Sequence, residues 1–522
     1  MNSSNKTSQV TSSKQTRSEN KKPKILTVLY YILFSNGPWL MTVLVTVIWG
    51  YFLLGILPKE ATTRLTIIVI PAIPISLILT SWIQVILTKK LLDYYTLKKV
   101  FSARYMLKRT SYLTFFTVSL AFLVYYLLAE FYLNIVIAMD TYLLLYIFTL
   151  SLSFLWVYLA PLNGLQKYAH TTSIFLFGLS IGYGVSYLFA LWGYSAAYIV
   201  VALSTGYMIA ALLLFGYMFF KLYRKPSLSV KLDAMLMTKI LEAAQSYKEK
   251  EELAKVLPTL LRVKSKLSPD EALIILDKSE IDVGRKESIL SAIKENKWLF
   301  TANLSYFTYL WLDRFMVWLK TGVSLTGLFL GFNSIYEAGL NIAQWALIPT
   351  VGYAAYLMTD FTRELIKTFE NLYVARLQDI KSSLKRFRSH VFIKAGYLTL
   401  FTIVSVLVVL FFGNTFLSFF KVLNETSYFI LLLASVAIVF HALLLYSYFV
   451  LMYLGKLENV SIAMILPTIV SFVTCLIVYF TLSYEYMILG YLFGSAIGAT
   501  VGLLEIKKIL NDLYREYLIA SI

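Results

Sequence analysis

A rhythm in the sequence constrains the fold more than any single residue does. Long apolar stretches recur about a dozen times along the 522 residues, and Lys and Arg collect in every second gap between them. One helical crossing of a bilayer needs ~20 apolar residues. Loops that stay in the cytoplasm retain Lys and Arg, so the alternation also assigns a side to each gap. The chain therefore reads as a polytopic protein of the cytoplasmic (inner) membrane.

Composition supports this. Hydrophobic residues make up 59% and charged residues 15%, against ~25% charged in soluble domains. The net charge of +18 does not point to nucleic acid, because the basic residues sit in alternate gaps rather than on one face. The one cysteine, Cys475, allows no disulfide within the chain. His170, His390 and His441 are too far apart in sequence to suggest a His-rich metal site. No metal or cofactor is expected.

Twelve crossings are predicted, at roughly 26–57, 63–88, 111–135, 139–162, 171–192, 195–220, 298–320, 342–370, 391–413, 427–454, 460–482 and 486–506. Gap 89–110 holds Lys89, Lys90, Lys98, Lys99, Arg104, Lys108 and Arg109, and gap 371–390 and the tail are also basic. The opposite gaps are nearly bare, with Lys59, Lys320 and Lys421 near their edges. The predicted fold is all-α, with about twelve transmembrane helices in two six-helix bundles and both termini cytoplasmic. Residues 1–24 form a basic, polar tail, expected to be disordered. Residues 25–220 form the first bundle, and 298–522 form the second with a short tail.

Residues 221–297 are highly charged and contain no crossing. Ser268, Pro269 and Glu271 have the pattern of a capping box opening a helix. Leu232, Leu236 and Ile240 recur at helical spacing. A small helical cytoplasmic module is predicted, serving either as a solvated spacer or as a docking surface. Six crossings lie on each side of it, so the halves share one orientation. That is the layout of parallel repeats with a path between them.

Ionisable groups inside a bilayer are costly, and most face a cavity or a partner helix. On the seventh crossing Phe300, Leu304, Phe307, Trp311, Phe315 and Trp318 form one stripe, suited to lipid. Asn303, Tyr306, Leu310, Asp313 and Val317 form another face, suited to an interior. Asp313 either pairs with a neighbouring helix or faces a cavity, and Arg314 could snorkel outward. The eighth crossing places Tyr353, Tyr356, Asp360, Arg363, Glu364, Lys367 and Asn371 along one face. Asp360 and Arg363, one turn apart, could equally be an internal ion pair. Pro38, Pro71, Pro74 and Pro349 interrupt crossings and are candidate hinges. Gln84, Asn163 and Gln344 are more typical of contacts between helices. There is no phosphate-binding loop, no H-E-x-x-H and no G-x-S-x-G, so no catalytic residue is proposed and nothing supports an enzyme.

Four stretches resemble the PelG family of exopolysaccharide exporters, which is related to the multidrug/oligosaccharidyl-lipid/polysaccharide flippases. "FSNGPWL" (Phe34–Leu40) looks like that family's first-crossing signature. "SLILTSWIQVILTKKLLDYY" (Ser76–Tyr95) looks like its second, with Ser81-Trp82-Ile83 where the family tends to have Gly-Pro-Leu. "YLWLDRF" (Tyr309–Phe315) looks like its tryptophan–aspartate–basic motif, and "TDFTRELIKTFENLY" (Thr359–Tyr373) resembles its acidic, aromatic eighth crossing. The resemblance implies a two-bundle transporter with alternating access. It also implies a saccharide polymer or lipid-linked saccharide as cargo, a biofilm exopolysaccharide complex, and a docked cytoplasmic glycosyltransferase with other membrane subunits. Asp313 and Arg314 lie in a matching motif and carry over as candidates. Three functions stand open: saccharide export, an ion-coupled small-molecule antiporter of the same superfamily, and a non-transporting scaffold.

Overall fold

The computed structural model describes residues 56–96, 100–132, 138–165, 167–222, 289–321, 333–374, 377–419 and 422–520. Pro38, all but the end of the first predicted crossing, and residues 223–288 of the 221–297 module lie outside them. Among the described residues there are helices and no strands. In a bilayer this follows from backbone hydrogen bonding, since a helix satisfies its own N–H and C=O groups where no water can.

The first half contains α1 (Lys59–Thr96), α2 (Val100–Leu127), α3 (Met139–Gly164), α4 (Tyr168–Leu191) and α5 (Ala196–Gly216). A short helix, α6 (Ile289–Glu295), leads into the second half. There follow α7 (Lys297–Thr321), α8 (Ser334–Gln344), α9 (Leu347–Val374), α10 (Leu377–Phe419), α11 (Glu425–Tyr453), α12 (Leu457–Thr481) and α13 (Ile488–Ala520). Among the described residues, nine helical segments are long and apolar enough to cross a membrane. Helices α7 and α9 are not among these nine, since both carry charge within the span.

Two boundaries depart from the sequence reading. The crossing expected from 342 begins at Leu347, and the preceding Ser334–Gln344 is a separate helix, α8. The apolar run Ile342–Val351 continues through the break at Trp345 and Ala346, so hydropathy alone does not show it. Helix α10 is 43 residues long, far beyond the expected 391–413. The prolines also differ in setting. Helix α1 runs unbroken through Pro71 and Pro74. Pro349 lies in the first turn of α9, where its missing N–H would have no intrahelical partner anyway. Two further helical prolines, Pro161 and Pro467, lie in α3 and α12.

The buried side chains form two cores. One is built from α1–α5, around residues such as Ile68, Leu87, Phe148, Phe175 and Leu203. The other is built from α7–α13, around Tyr309, Tyr336, Phe361, Tyr446 and Tyr491. Outward surfaces carry large exposed apolar groups such as Phe116, Leu212, Phe411 and Phe480, which a hydrocarbon environment accommodates.

Glycines set the closest helix contacts. A Cβ on Gly206 of α5 would lie 2.4 Å from the Gly182 Cα of α4, so the two backbones touch. A Cβ on Gly339 of α8 would lie 2.6 Å from the Ser427 carbonyl of α11. Small residues allow such approach where apolar burial cannot drive helix association.

Candidate functional site

Helix α7 organises the polar interior of the second half. Its C-terminal half meets α8, a short helix opened by Asn333, whose Oδ1 accepts from the Tyr336 N–H at 3.0 Å. That cap satisfies an otherwise orphaned donor. It also orients the first turn so that Tyr336 and Glu337 face α7. The Tyr336 hydroxyl donates to Asp313 Oδ2 at 2.6 Å.

Arg314 is 2% exposed. Its Nη2 donates to Asn341 Oδ1 at 2.8 Å and to Gln344 Oε1 at 2.9 Å. The Arg314 Nε lies 3.5 Å from Glu337 Oε2, and the guanidinium sits 4.2 Å from the centre of the Trp311 ring. The other Glu337 oxygen, Oε1, accepts from Trp318 Nε1 at 3.0 Å. A charge in low dielectric survives only when its partners offset the lost hydration. One guanidinium, two carboxylates and a ring of amide and aromatic groups form such a set. Asp313 Oδ1 is buried and makes no hydrogen bond among the described residues.

Two sequence expectations are corrected here. Arg314 does not snorkel outward, because the amides of α8 reward its planar fork more than a route to the interface would. The aromatic stripe of α7 is not a lipid face. Trp311 and Trp318 are buried against the polar cluster, while Phe300 meets Trp82 of α1 at 5.5 Å between ring centres. Periodicity separates the faces of a helix without saying what covers each.

Deeper along α7, Tyr306 pairs with His441 Nε2 of α11 at 3.1 Å. The Tyr309 ring stacks on His441 and on Tyr491 of α13, at 6.0 and 5.7 Å, and its hydroxyl donates to the Tyr491 carbonyl at 3.2 Å. His441 Nδ1 is buried and unpartnered among the described residues.

The face predicted on α9 meets α10. Asp360 Oδ2 lies 2.6 Å from Lys394 Nζ and 3.6 Å from His390 Nε2, whereas Arg363 Nη1 is 4.0 Å from Oδ1. Asp360 is therefore shared between helices more than within its own. Arg363 is exposed and Glu364 half-buried. The Tyr353 ring stacks on Phe401 of α10 at 4.5 Å and on Tyr356 at 6.1 Å.

The predicted residues thus fall into three groups, Asp313 and Arg314 against α8, Tyr306 against α11, and Tyr353, Tyr356 and Asp360 against α10. Tyr336, Glu337, Asn341, His390 and Lys394 complete them and were not singled out from sequence. A signal for α8 did exist. Glu337, Asn341 and Gln344 recur at steps of four and three behind a capping Asn. No group of three or more potential metal ligands occurs among the described residues.

The fold is that of known transporters. An outward-facing multidrug resistance MATE-family transporter of the MOP superfamily superposes with TM-score 0.56 at 12% identity, covering 94% of this chain and 96% of that one. A MATE protein in the straight conformation gives 0.55 at 12%, with the same coverage. A MOP-superfamily transporter from Pyrococcus furiosus gives 0.53 at 11%, covering 93% and 96%. At these identities the likeness concerns the fold. No curated protein matches the sequence. The family model for PelG, described as "Putative exopolysaccharide Exporter (EPS-E)", matches residues 13–242 and 273–517. With a match over most of its length and a multi-pass transporter fold, this chain belongs to the PelG family of exopolysaccharide exporters.

Proposed function

We propose that the protein moves a polysaccharide or lipid-linked saccharide across the cytoplasmic membrane by alternating access, as the export subunit of an exopolysaccharide synthesis complex. The observation that carries this reading is the division of a PelG-family chain into two hydrophobic cores, one per half. Two bodies with separate cores can rock against each other without unpacking either. Residues 25–220 and 298–522 act as the two moving bundles, with both termini cytoplasmic. The 221–297 module offers a docking surface to a cytoplasmic glycosyltransferase. Asp313 and Asp360, with Tyr306, Tyr353, Tyr356, Arg363 and Glu364, supply the polar and aromatic groups of the pathway in the second half. Acidic groups suit a partly cationic sugar polymer, and tyrosine rings suit the apolar faces of sugars.

The test is gene deletion in the host, with polysaccharide measured on both sides of the membrane. Extracellular polymer should be lost on deletion and restored by the wild-type gene. It should not be restored by Asp313→Asn or Asp360→Asn at equal membrane abundance. Normal export by both variants would remove these carboxylates from the mechanism. A second reading, ion-coupled antiport of a small molecule, draws on one specific observation. Asp313 and Glu337 are two buried carboxylates around one guanidinium, a set that an incoming cation could balance. Drug efflux driven by an imposed proton or sodium gradient, with polysaccharide unchanged on deletion, would favour it.

A further inference from the structure

The two halves meet along a narrow seam. Helices α1 and α7 run antiparallel there, with contacts in consistent register. Asn303 Nδ2 donates to the Ser81 carbonyl at 2.7 Å. Trp82 meets Phe300. Lys89 Nζ donates to Asn296 Oδ1 at 2.6 Å, and Lys90 Nζ donates to Glu295 Oε2 at 2.8 Å. Among the described residues, the hydrogen bonds that join the halves lie between 81–90 and 295–303. This is the end of α1 that leads into the Lys- and Arg-rich gap.

The apolar packing has the same polarity. Ala292 of α6 is fully buried in the core of the first half, and Ile293 and Phe300 pack against that core. Two residues further on, Ala302 belongs to the core of the second half. The corner between α6 and α7 is Asn296, 2% exposed. Its Nδ2 donates to the Ala292 carbonyl at 2.8 Å, while its Oδ1 accepts from the Lys89 ammonium at 2.6 Å. Beyond the corner, α7 is bound to its own half, with Thr468 Oγ1 of α12 donating to the Ser305 carbonyl at 2.9 Å.

At the opposite end each half is tied to itself. Arg64 of α1 pairs with Asp140 of α3. Trp318 of α7 bonds Glu337, and Lys320 caps the Tyr479 carbonyl of α12 at 2.7 Å. Among the described residues, a seam knotted at one end, with each body closed on itself at the other, has the form of a hinged clasp.

We infer that Lys89, Lys90, Glu295, Asn296 and Asn303 form a clasp that closes the basic end of the transport path, and that each cycle must release it. This rests on the alternating-access reading above. The clasp holds α6 and the start of α7 in the first half while the rest of α7 moves with the second. Asn296 is the positioning residue, because its buried side chain fixes the helix corner and accepts from the Lys89 ammonium across the seam. In the Lys90–Glu295 pair the carboxylate partner is solvent-screened, with Glu295 55% exposed against 12% for Lys90, so the pair supplies register more than strength.

The test uses the full chain in nanodiscs, in a Cys475→Ser background, with spin labels at exposed Thr96→Cys and Lys508→Cys to span the basic end. A second pair, Glu60→Cys and Ser483→Cys, spans the opposite end. The parent should give one narrow, short distance at the basic end. Lys89→Ala with Lys90→Glu should transfer population to longer distances there and shorten the opposite pair. Adding Glu295→Lys to Lys90→Glu, with Lys89 intact, should restore the parent distribution. An unchanged basic-end distribution in a folded Lys89→Ala/Lys90→Glu variant would overturn the clasp. A disulfide between Lys90→Cys and Glu295→Cys provides a check independent of folding defects. Cross-linked protein should lose polymer export and recover it on reduction, and full export while cross-linked would also overturn the proposal. The distance measurements involve no sugar, so a clasp that behaves as expected in a protein whose deletion leaves polysaccharide unchanged would refute the cargo and not the clasp.

Discussion

Arg314 is the residue on which the buried cluster turns. It faces Glu337 at 3.5 Å and occupies the carbonyl oxygens of Asn341 and Gln344. Removing it by Arg314→Ala leaves a buried carboxylate without its counter-charge, and breaking a buried pair from one side costs ~3–5 kcal/mol. The expected result is a large fall in melting temperature in detergent. Arg314→Ala/Glu337→Gln should recover much of the loss, because the second change removes the stranded charge. Tyr336→Phe is the milder probe. It deletes the donor to Asp313 and, as a hydrogen bond to a charged group, should cost ~1.5–3 kcal/mol in the same assay. Of this cluster the sequence revealed Asp313 and Arg314, since a charged pair inside an apolar helix is conspicuous. It concealed Tyr336, Glu337 and Asn341, while Gln344 read as a contact between helices. Glu337 sits in a stretch whose polar residues read as an outer loop, and nothing in the α7 periodicity shows that Trp318 meets α8, or that Trp311 is buried, rather than facing lipid.

At the scale of elements, most crossings were legible because length and hydropathy decide them. The exceptions have a common cause. Helix α8 is 11 residues long, too short to span and too polar to stand out. The extension of α10 before residue 391 is charged and leaves the apolar segment that defines a crossing. Close helix contacts were not legible at all, since a glycine in sequence does not say which backbone approaches it. That yields a prediction with an internal control. Gly206→Ala places a methyl against the α4 backbone, where a Cβ would lie 2.4 Å from the Gly182 Cα, and overpacking of this kind costs ~1–3 kcal/mol. Gly184→Ala on α4 has nothing within 4 Å of the new Cβ. It should gain the ~0.5–1 kcal/mol of helix propensity that alanine holds over glycine. Thermal unfolding of the two variants beside the parent should move in opposite directions. A fall in both would show that α4 tolerates no added methyl and would remove the close-contact explanation for Gly206.

At the scale of the molecule, the described residues form two cores joined by a seam, and the seam contains a group that reports on its closure. Lys90 donates to the Glu295 carboxylate, with Lys89 nearby, and together they hold the Glu295 carboxyl below the ordinary carboxylate range. A carboxyl whose pKa is depressed in the closed form favours closure at any pH above its free value. That contribution is lost as pH falls through the depressed value, because the protonated acid no longer answers the ammonium. The group is largely solvent-exposed, so salt screens the effect and its size is modest. The expected outcome is that the short basic-end distance in the closed protein loses population on acidification below the ordinary carboxylate range, and more so at low ionic strength. Glu295→Gln should be partly open at neutral pH and should lack this acid-dependent step. If the step persists in Glu295→Gln, another carboxylate governs the opening, and Lys90 then contributes to register alone. If the step vanishes in Glu295→Gln but survives 1 M salt, the pair is shielded from solvent in the closed state and contributes more to holding the halves together than a surface ion pair would.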